Sequence, residues 1–167
     1  MMPRFTFELD GAVVMDRAFN RIEKEIEDHR FLWPAVSQEV YAIEREQFAT
    51  EGSAGASGKW AALSKAYAKF KAVVFPSQTI LKATTSLFES VTSPDAPGAI
   101  FRPEQGMLTI GTSHEAAIYH QRGTSRMPAR KIYSFSEQQK RRLQKAIQIG
   151  LVQLIRRQGF QVVEGAA

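Results

Sequence analysis

Residues 93–98 read Ser-Pro-Asp-Ala-Pro-Gly, and no helix or strand can run through them. Each proline lacks a backbone donor and pushes its predecessor out of the helical region, while Asp and Gly favour tight turns. The segment divides the chain into stretches of different hydrophobic period. Upstream, apolar residues recur every three or four positions; downstream they first fall into short strand-like runs. That change predicts an α+β domain: N-terminal helices, a small antiparallel sheet and a closing C-terminal amphipathic helix.

Upstream, Arg4-Phe5-Thr6-Phe7-Glu8-Leu9 alternates as a half-buried strand does, and Asp10-Gly11 ends it with a turn. From Ala12 to Glu27 the apolar Phe19, Ile22 and Ile26 return at helical spacing, and this helix must stop before Pro34. A second helix is expected from Ala35 to about Thr50, with Val36, Val40, Ile43 and Phe48 apolar and Pro34 in its first turn. Three glycines and two serines within 51–58 predict a flexible loop. It is no phosphate-binding loop, because no strand precedes it and Gly58-Lys59 is followed by Trp60 where Ser or Thr is required. A helix opening at Trp60 runs through Tyr67, Phe70 and Lys71, and another is expected from Ser77 to Val91.

Downstream, Ala99–Arg102 and Met107–Gly111 flank Pro103–Gly106 as a hairpin. Ala116–Gln121 is short and mostly apolar, Gly123–Arg130 is a loop, and Lys131–Phe135 predicts one more strand. Phe101, Tyr119, Tyr133 and Phe135 alternate as core-facing strand positions would. Ser136 caps the last helix with Gln139 at the capping-box position, and Leu143, Ile147, Leu151 and Leu154 form one stripe before Gly159 ends it. The chain, 1–167, reads as a single domain with a short C-terminal tail at 160–167.

The 22 Lys and Arg exceed the 17 Asp and Glu by five, and the excess is concentrated. Lys140, Arg141, Arg142, Lys145, Arg156 and Arg157 lie in one stretch, with Arg122, Arg126, Arg130 and Lys131 before it. The plainer account is the solvated face of an amphipathic helix; the alternative is a small basic nucleic-acid-binding module. Aromatics are not interleaved with the cluster as base-stacking platforms are, so only non-specific DNA contact fits. The absence of cysteine excludes disulfides, thiolate nucleophiles and thiolate metal sites. No stretch reaches the roughly 18 apolar residues of a membrane helix, and no signal-peptide run follows Met1, so a protein made in the cytoplasm without a membrane partner is expected.

Catalytic constellations are not found. His114 and His120 are six apart rather than four, which puts the rings about 120° apart on a helix or ~20 Å apart on a strand. Aspartates occur only at 10, 16, 28 and 95, and Glu23, Glu25 and Glu27, like Glu39, Glu44 and Glu46, read as solvated helix faces. His29, between Asp28 and Arg30, is expected to face water. No Gly-x-Ser-x-Gly elbow is present. No enzyme, cofactor or metal is expected.

The middle of the chain carries an ordered series: Gly58-Lys59-Trp60-Ala61-Ala62-Leu63-Ser64, then Tyr67 and Lys71. Ile80-Leu81-Lys82-Ala83-Thr84 and Ser86-Leu87 follow. Ile110-Gly111-Thr112, Ala117-Ile118-Tyr119-His120-Gln121-Arg122-Gly123 and Pro128-Ala129-Arg130 complete it. Across roughly residues 48–135 this resembles the phage virion-morphogenesis, or tail-completion, family, whose members help finish the tail and join it to the head. It departs from the family pattern in Ala61-Ala62 where a proline is common, in Thr84-Thr85-Ser86 where Thr-Gly is expected, in the position of Tyr119, and in Lys131-Ile132 where an aromatic is expected.

The resemblance implies a non-catalytic virion protein, made in the host bacterial cytoplasm, that closes into a homo-oligomeric ring (a hexamer by preference). Its partners would be adjacent neck, portal-side or tail-tube proteins, and contact with DNA would be non-specific. The series residues Trp60, Leu63, Tyr67, Lys71, Leu81, Leu87, Tyr119, His120, Gln121, Gly123, Pro128 and Arg130 become the candidate assembly residues. Within it, His120 is expected to be a satisfied structural histidine, and Arg130 to offer its donor fork to a neighbour's carboxylate. The 51–58 loop is expected to be an arm that orders on assembly.

Overall fold

The computed structural model describes residues 12–157. The expected strand at 4–9, the Gly159 stop and the tail at 160–167 lie outside the described residues. Among these, the chain forms six α-helices and one two-stranded antiparallel sheet. The order is α1 (Ala12–Glu27), α2 (Trp33–Ala49), α3 (Lys65–Val74), α4 (Ser86–Thr92), β1 (Ala99–Pro103), β2 (Leu108–Thr112), α5 (Glu115–Arg122) and α6 (Glu137–Arg157). This is the α+β class expected from the change of period, closed by the C-terminal helix.

Between α1 and α2 the chain makes one 3-10 turn, His29–Phe31, started by Asp28, whose carboxylate accepts the Arg30 N–H at 3.0 Å. His29 does not simply face water: it is half-buried, edge-on to Trp33 with ring centroids 6.0 Å apart. The same corner receives the hairpin. Ala99 pairs with Thr112 and Pro103 with Leu108, and at the tip Trp33 Nε1 donates to Glu104 O at 2.7 Å.

The apolar core is built on α2. Its buried positions Ser37, Val40, Tyr41, Glu44, Gln47 and Phe48 step by three and four, one helical stripe, with Ile43 beside it. Phe48 is fully buried and receives Trp60 and Phe88 edge-on, each at 5.2 Å between centroids. Burying such a ring contributes about 1.5–3 kcal/mol. Leu87, Val91 and Ile132 complete the cluster. Three polar residues share the α2 stripe, so the expected solvated glutamate face is corrected: Glu44 is 1% exposed.

Helix α6 crosses α2. The capping box forms as expected, with Ser136 N–H donating to Gln139 Oε1 at 2.9 Å and Gln139 N–H to Ser136 Oγ at 3.4 Å. Leu154 is buried and Leu143, Ile147 and Leu151 are half-buried. Gly150 sets the approach, since a Cβ there would lie 2.5 Å from Leu32 Cδ2. Arg142 bridges Glu39 and Glu46 of α2 at 2.6 Å each, which fixes the register of the two helices at their surface.

Two expected elements do not form. The helix expected from Ser77 is confined to Ser86–Thr92; before it the chain turns, with Ser77, Leu81 and Thr85 at φ of 68°, 64° and 60°. Left-handed backbone costs about 1–2 kcal/mol at a non-glycine residue. It is held here by tertiary partners: Lys71 donates to Thr79 O, and Glu51 Oε1 accepts the Ile80 N–H at 3.1 Å. Nor is 131–135 a strand; side chains occupy its backbone groups. The helix expected from Trp60 starts only at Lys65, with Ser64 as its cap. The apolar run 116–121 is helical, so Tyr119 is no core-facing strand position, and Phe101 is 36% exposed.

Candidate functional site

Trp60 anchors the ordered series in geometric terms: it is 4% exposed and its Nε1 donates to Lys131 O at 2.9 Å. The Gly/Ser loop folds against it. Gly52 sits at φ +89°, and a Cβ there would meet Trp60 Cδ1 at 2.5 Å, so only glycine fits. Ala56 N–H donates to Ser134 O at 3.0 Å and Ser57 N–H to Ser134 Oγ at 3.0 Å. The expected flexible arm is thus tied to the 131–136 segment within the same chain.

Gln121 supplies the second anchor. Its Oε1 accepts the N–H groups of Ile132 (2.9 Å) and Tyr133 (3.1 Å), and its Nε2 donates to Tyr133 O (2.9 Å). One side-chain amide, aimed by α5, does for this segment what a neighbouring strand would do. Gln47 Nε2 adds a bond to Lys131 O at 3.3 Å. Gly123 ends α5 at φ +75°, where a Cβ would stand 2.8 Å from Ala129 N. The return from this turn carries Arg130, whose N–H donates to His120 O at 2.7 Å.

Arg130 does not reach out to a neighbour, contrary to expectation. It is 4% exposed, and Nε and Nη2 donate to Ala61 O (2.7 Å) and Ala62 O (2.9 Å). Those two carbonyls are thereby taken up outside the helix, which accounts for the late start of α3. Burial pulls the pKa of Arg130 below its ordinary value.

These anchors border a half-open cavity of 640 Å³ at α3. Leu63, Tyr67, Lys71, Leu81, Leu87, His120, Pro128 and Arg130 of the candidate residues line it. Trp60, Gln121 and Gly123 are not in the lining; they brace the segments that carry it. Tyr119 is 55% exposed and lines no part of the cavity. His114 and Arg126 join the wall although the series did not include them. The spacing argument set the two histidines apart on one element, but His114 precedes α5 as its cap. Its Nδ1 accepts the Ala116 N–H at 3.2 Å, so the ring proton sits on Nε2, which donates to Ser86 Oγ at 3.1 Å.

His120 is not the satisfied histidine expected. Its Nδ1 is buried and makes no hydrogen bond among the described residues. Desolvation first, then Arg130 and His114, push its pKa below the ordinary value. The described lining holds three cations and two imidazoles but no carboxylate. It has no partner for acid–base work between carboxyl groups, and no cluster of three metal-ligating side chains occurs among the described residues. Electrostatically, it is a place for negative charge.

Two further surface features lie on α3 and α6. On α3 Phe70 (53% exposed), Val73 (81%) and Val74 (47%) stand outside the cavity lining, Tyr67 (43%) is at its rim, and Lys71 is the one buried residue. On α6 the basic cluster is partly spent, with Arg142 on two glutamates and Lys140 on Glu137. No protein-family model matches this chain, and no curated protein or solved structure is significantly similar to it.

Proposed function

We propose that this chain is a non-catalytic structural subunit of a tailed-phage particle, a tail-completion or neck component that assembles as a ring and helps join tail to head. The observation that supports assembly most is on α3: Phe70, Val73 and Val74 face solvent within about a turn and a half of helix, while Lys71 is its one buried residue. Contiguous exposed apolar surface of this kind marks a protein contact. In a ring, one face meets a different face on the next copy, so α3 would be covered by a non-equivalent surface. The cation-rich α6 supports the nucleic-acid alternative less than the sequence did, because Arg142 and Lys140 already have carboxylate partners.

Sedimentation velocity and negative-stain imaging of the purified chain test the reading. The expected result is a closed oligomer that survives moderate salt. Phe70→Asp combined with Val73→Asp should leave a folded monomer, since both side chains are exposed. A double variant that assembles as well as the parent overturns the α3 interface. A parent that stays monomeric but is retained on DNA, with retention falling steeply as salt rises, moves the assignment to the nucleic-acid module.

A further inference from the structure

The cavity at α3 has a lining whose chemistry the assembly reading does not use. Its 640 Å³ falls within the ~300–1,000 Å³ of small-molecule sites, which are mostly apolar with a few convergent polar groups. The apolar part comes from Leu63, Leu81, Leu87 and Met127. The polar part is positive. Arg130 is 4% exposed and carries its full charge with no carboxylate within ion-pair distance among the described residues. The two carbonyls it grips orient the guanidinium but do not neutralise it. Burying an uncompensated charge is costly, and an anion in the cavity would offset that cost.

Two further groups point the same way. Lys71 is 5% exposed and its ammonium donates to a neutral carbonyl, Thr79 O; the Glu51 charge acts on it, but no carboxylate comparably faces Arg130. His120 presents a buried Nδ1 with no partner among the described residues; in the Nδ1–H tautomer it is a donor lacking an acceptor. Arg126 stands exposed in the same wall. A nucleic-acid backbone brings phosphates on a long polar polymer, which does not match the aliphatic floor of leucines and methionine.

We propose that this cavity is a binding site for a small organic carboxylate on an apolar stem, with the head held by Arg130, Lys71 and Arg126 and the stem against Leu63, Leu81 and Leu87. With Nε and Nη2 held by Ala61 O and Ala62 O, the Nη1 side of the guanidinium is what a carboxylate would meet, and the apolar floor selects against small hydrophilic acids. The site does not depend on the α3 interface: its lining is complete within one chain, and failure of one reading leaves the other standing.

The probe is octanoate, with octanol as the same stem lacking the charge. Methyl-resolved NMR titration of the parent protein should show octanoate shifting the Leu63, Leu81 and Leu87 methyls, with binding at least about tenfold tighter than octanol, the scale of a charge-assisted contact of about 1.4 kcal/mol. Arg126→Gln, on an exposed side chain, should weaken octanoate by about two- to five-fold and leave octanol unchanged. Arg130→Lys, which keeps charge but loses the fork, should weaken octanoate further if the variant folds. Equal binding of octanol and octanoate overturns the proposal. So do shifts confined to the outer face of α3 at Val73 and Val74, or no saturable shift at all.

Discussion

The carboxyl of Glu44 gives the sharpest test of the interior. It lies on the core stripe of α2, 1% exposed, and neither carboxyl oxygen makes a hydrogen bond among the described residues. Tyr41 and Tyr133 hydroxyls, Gln47 Oε1 and Gln139 Nε2 are buried without partners as well. Burial pushes the Glu44 pKa from the ordinary 4.5 up to about 8, so the folded protein holds this carboxyl protonated at neutral pH. The unfolded chain releases that proton above its own pKa near 4.5. Between the two values the folded state binds more protons, and stability falls as pH rises. The slope is about 1.4 kcal/mol per pH unit, which integrates to at most about 5 kcal/mol between pH 4.5 and 8 and levels off above.

Glu44→Gln keeps the shape and cannot ionise. Urea unfolding at intervals from pH 5 to pH 9 should give parent and variant similar stability at the acid end, and a variant several kcal/mol more stable at pH 8. His120 acts in the opposite sense, because its depressed pKa adds stability as pH rises through the ordinary histidine range, and it acts equally in both proteins. The difference curve therefore isolates Glu44. Parallel curves for parent and variant would refute the burial argument, and with it the reading of this stripe as a desolvated polar seam.

Two other perturbations probe the anchors. Gln121→Leu strands the Ile132 and Tyr133 N–H groups and the Tyr133 carbonyl, and should lower unfolding free energy by about 2–4 kcal/mol in urea titration, an amount no surface glutamine change produces. Gly123→Ala puts a Cβ 2.8 Å from Ala129 N at φ +75°, so a loss of more than about 1 kcal/mol and a lowered Tm are expected, whereas Gly106→Ala, with open space around it, should change stability by less than half that.

Local chemistry determined much of this fold from the sequence alone. The helix expected from Ala35 begins two residues earlier, at Trp33, with Pro34 in its first turn; the Ser136/Gln139 box marked the start of α6, and the turn-flanked runs at 99–112 marked the hairpin. In each case the deciding partners are near neighbours in the chain, so the pattern carries the interaction. The α+β class followed from those pieces. The candidate residues were legible only as an ordered series, and their division into cavity wall and bracing was not.

Tertiary structure alone decided the rest, for one physical reason: backbone groups took distant side chains as partners. Residues 131–135 have the composition of a strand, but Gln121, Gln47 and Trp60 supply their hydrogen bonds, the last from 71 positions away. Residues 77–85 have helical spacing, but Lys71 and Glu51 hold them in turns. Arg130 resembled an exposed fork until Ala61 and Ala62 took its Nε and Nη2, and Glu44 resembled its solvated neighbours until packing left it 1% exposed. Periodicity reports which face of an element is apolar. It cannot report which polar side chain the rest of the fold will draw inside, because that depends on partners tens of residues away.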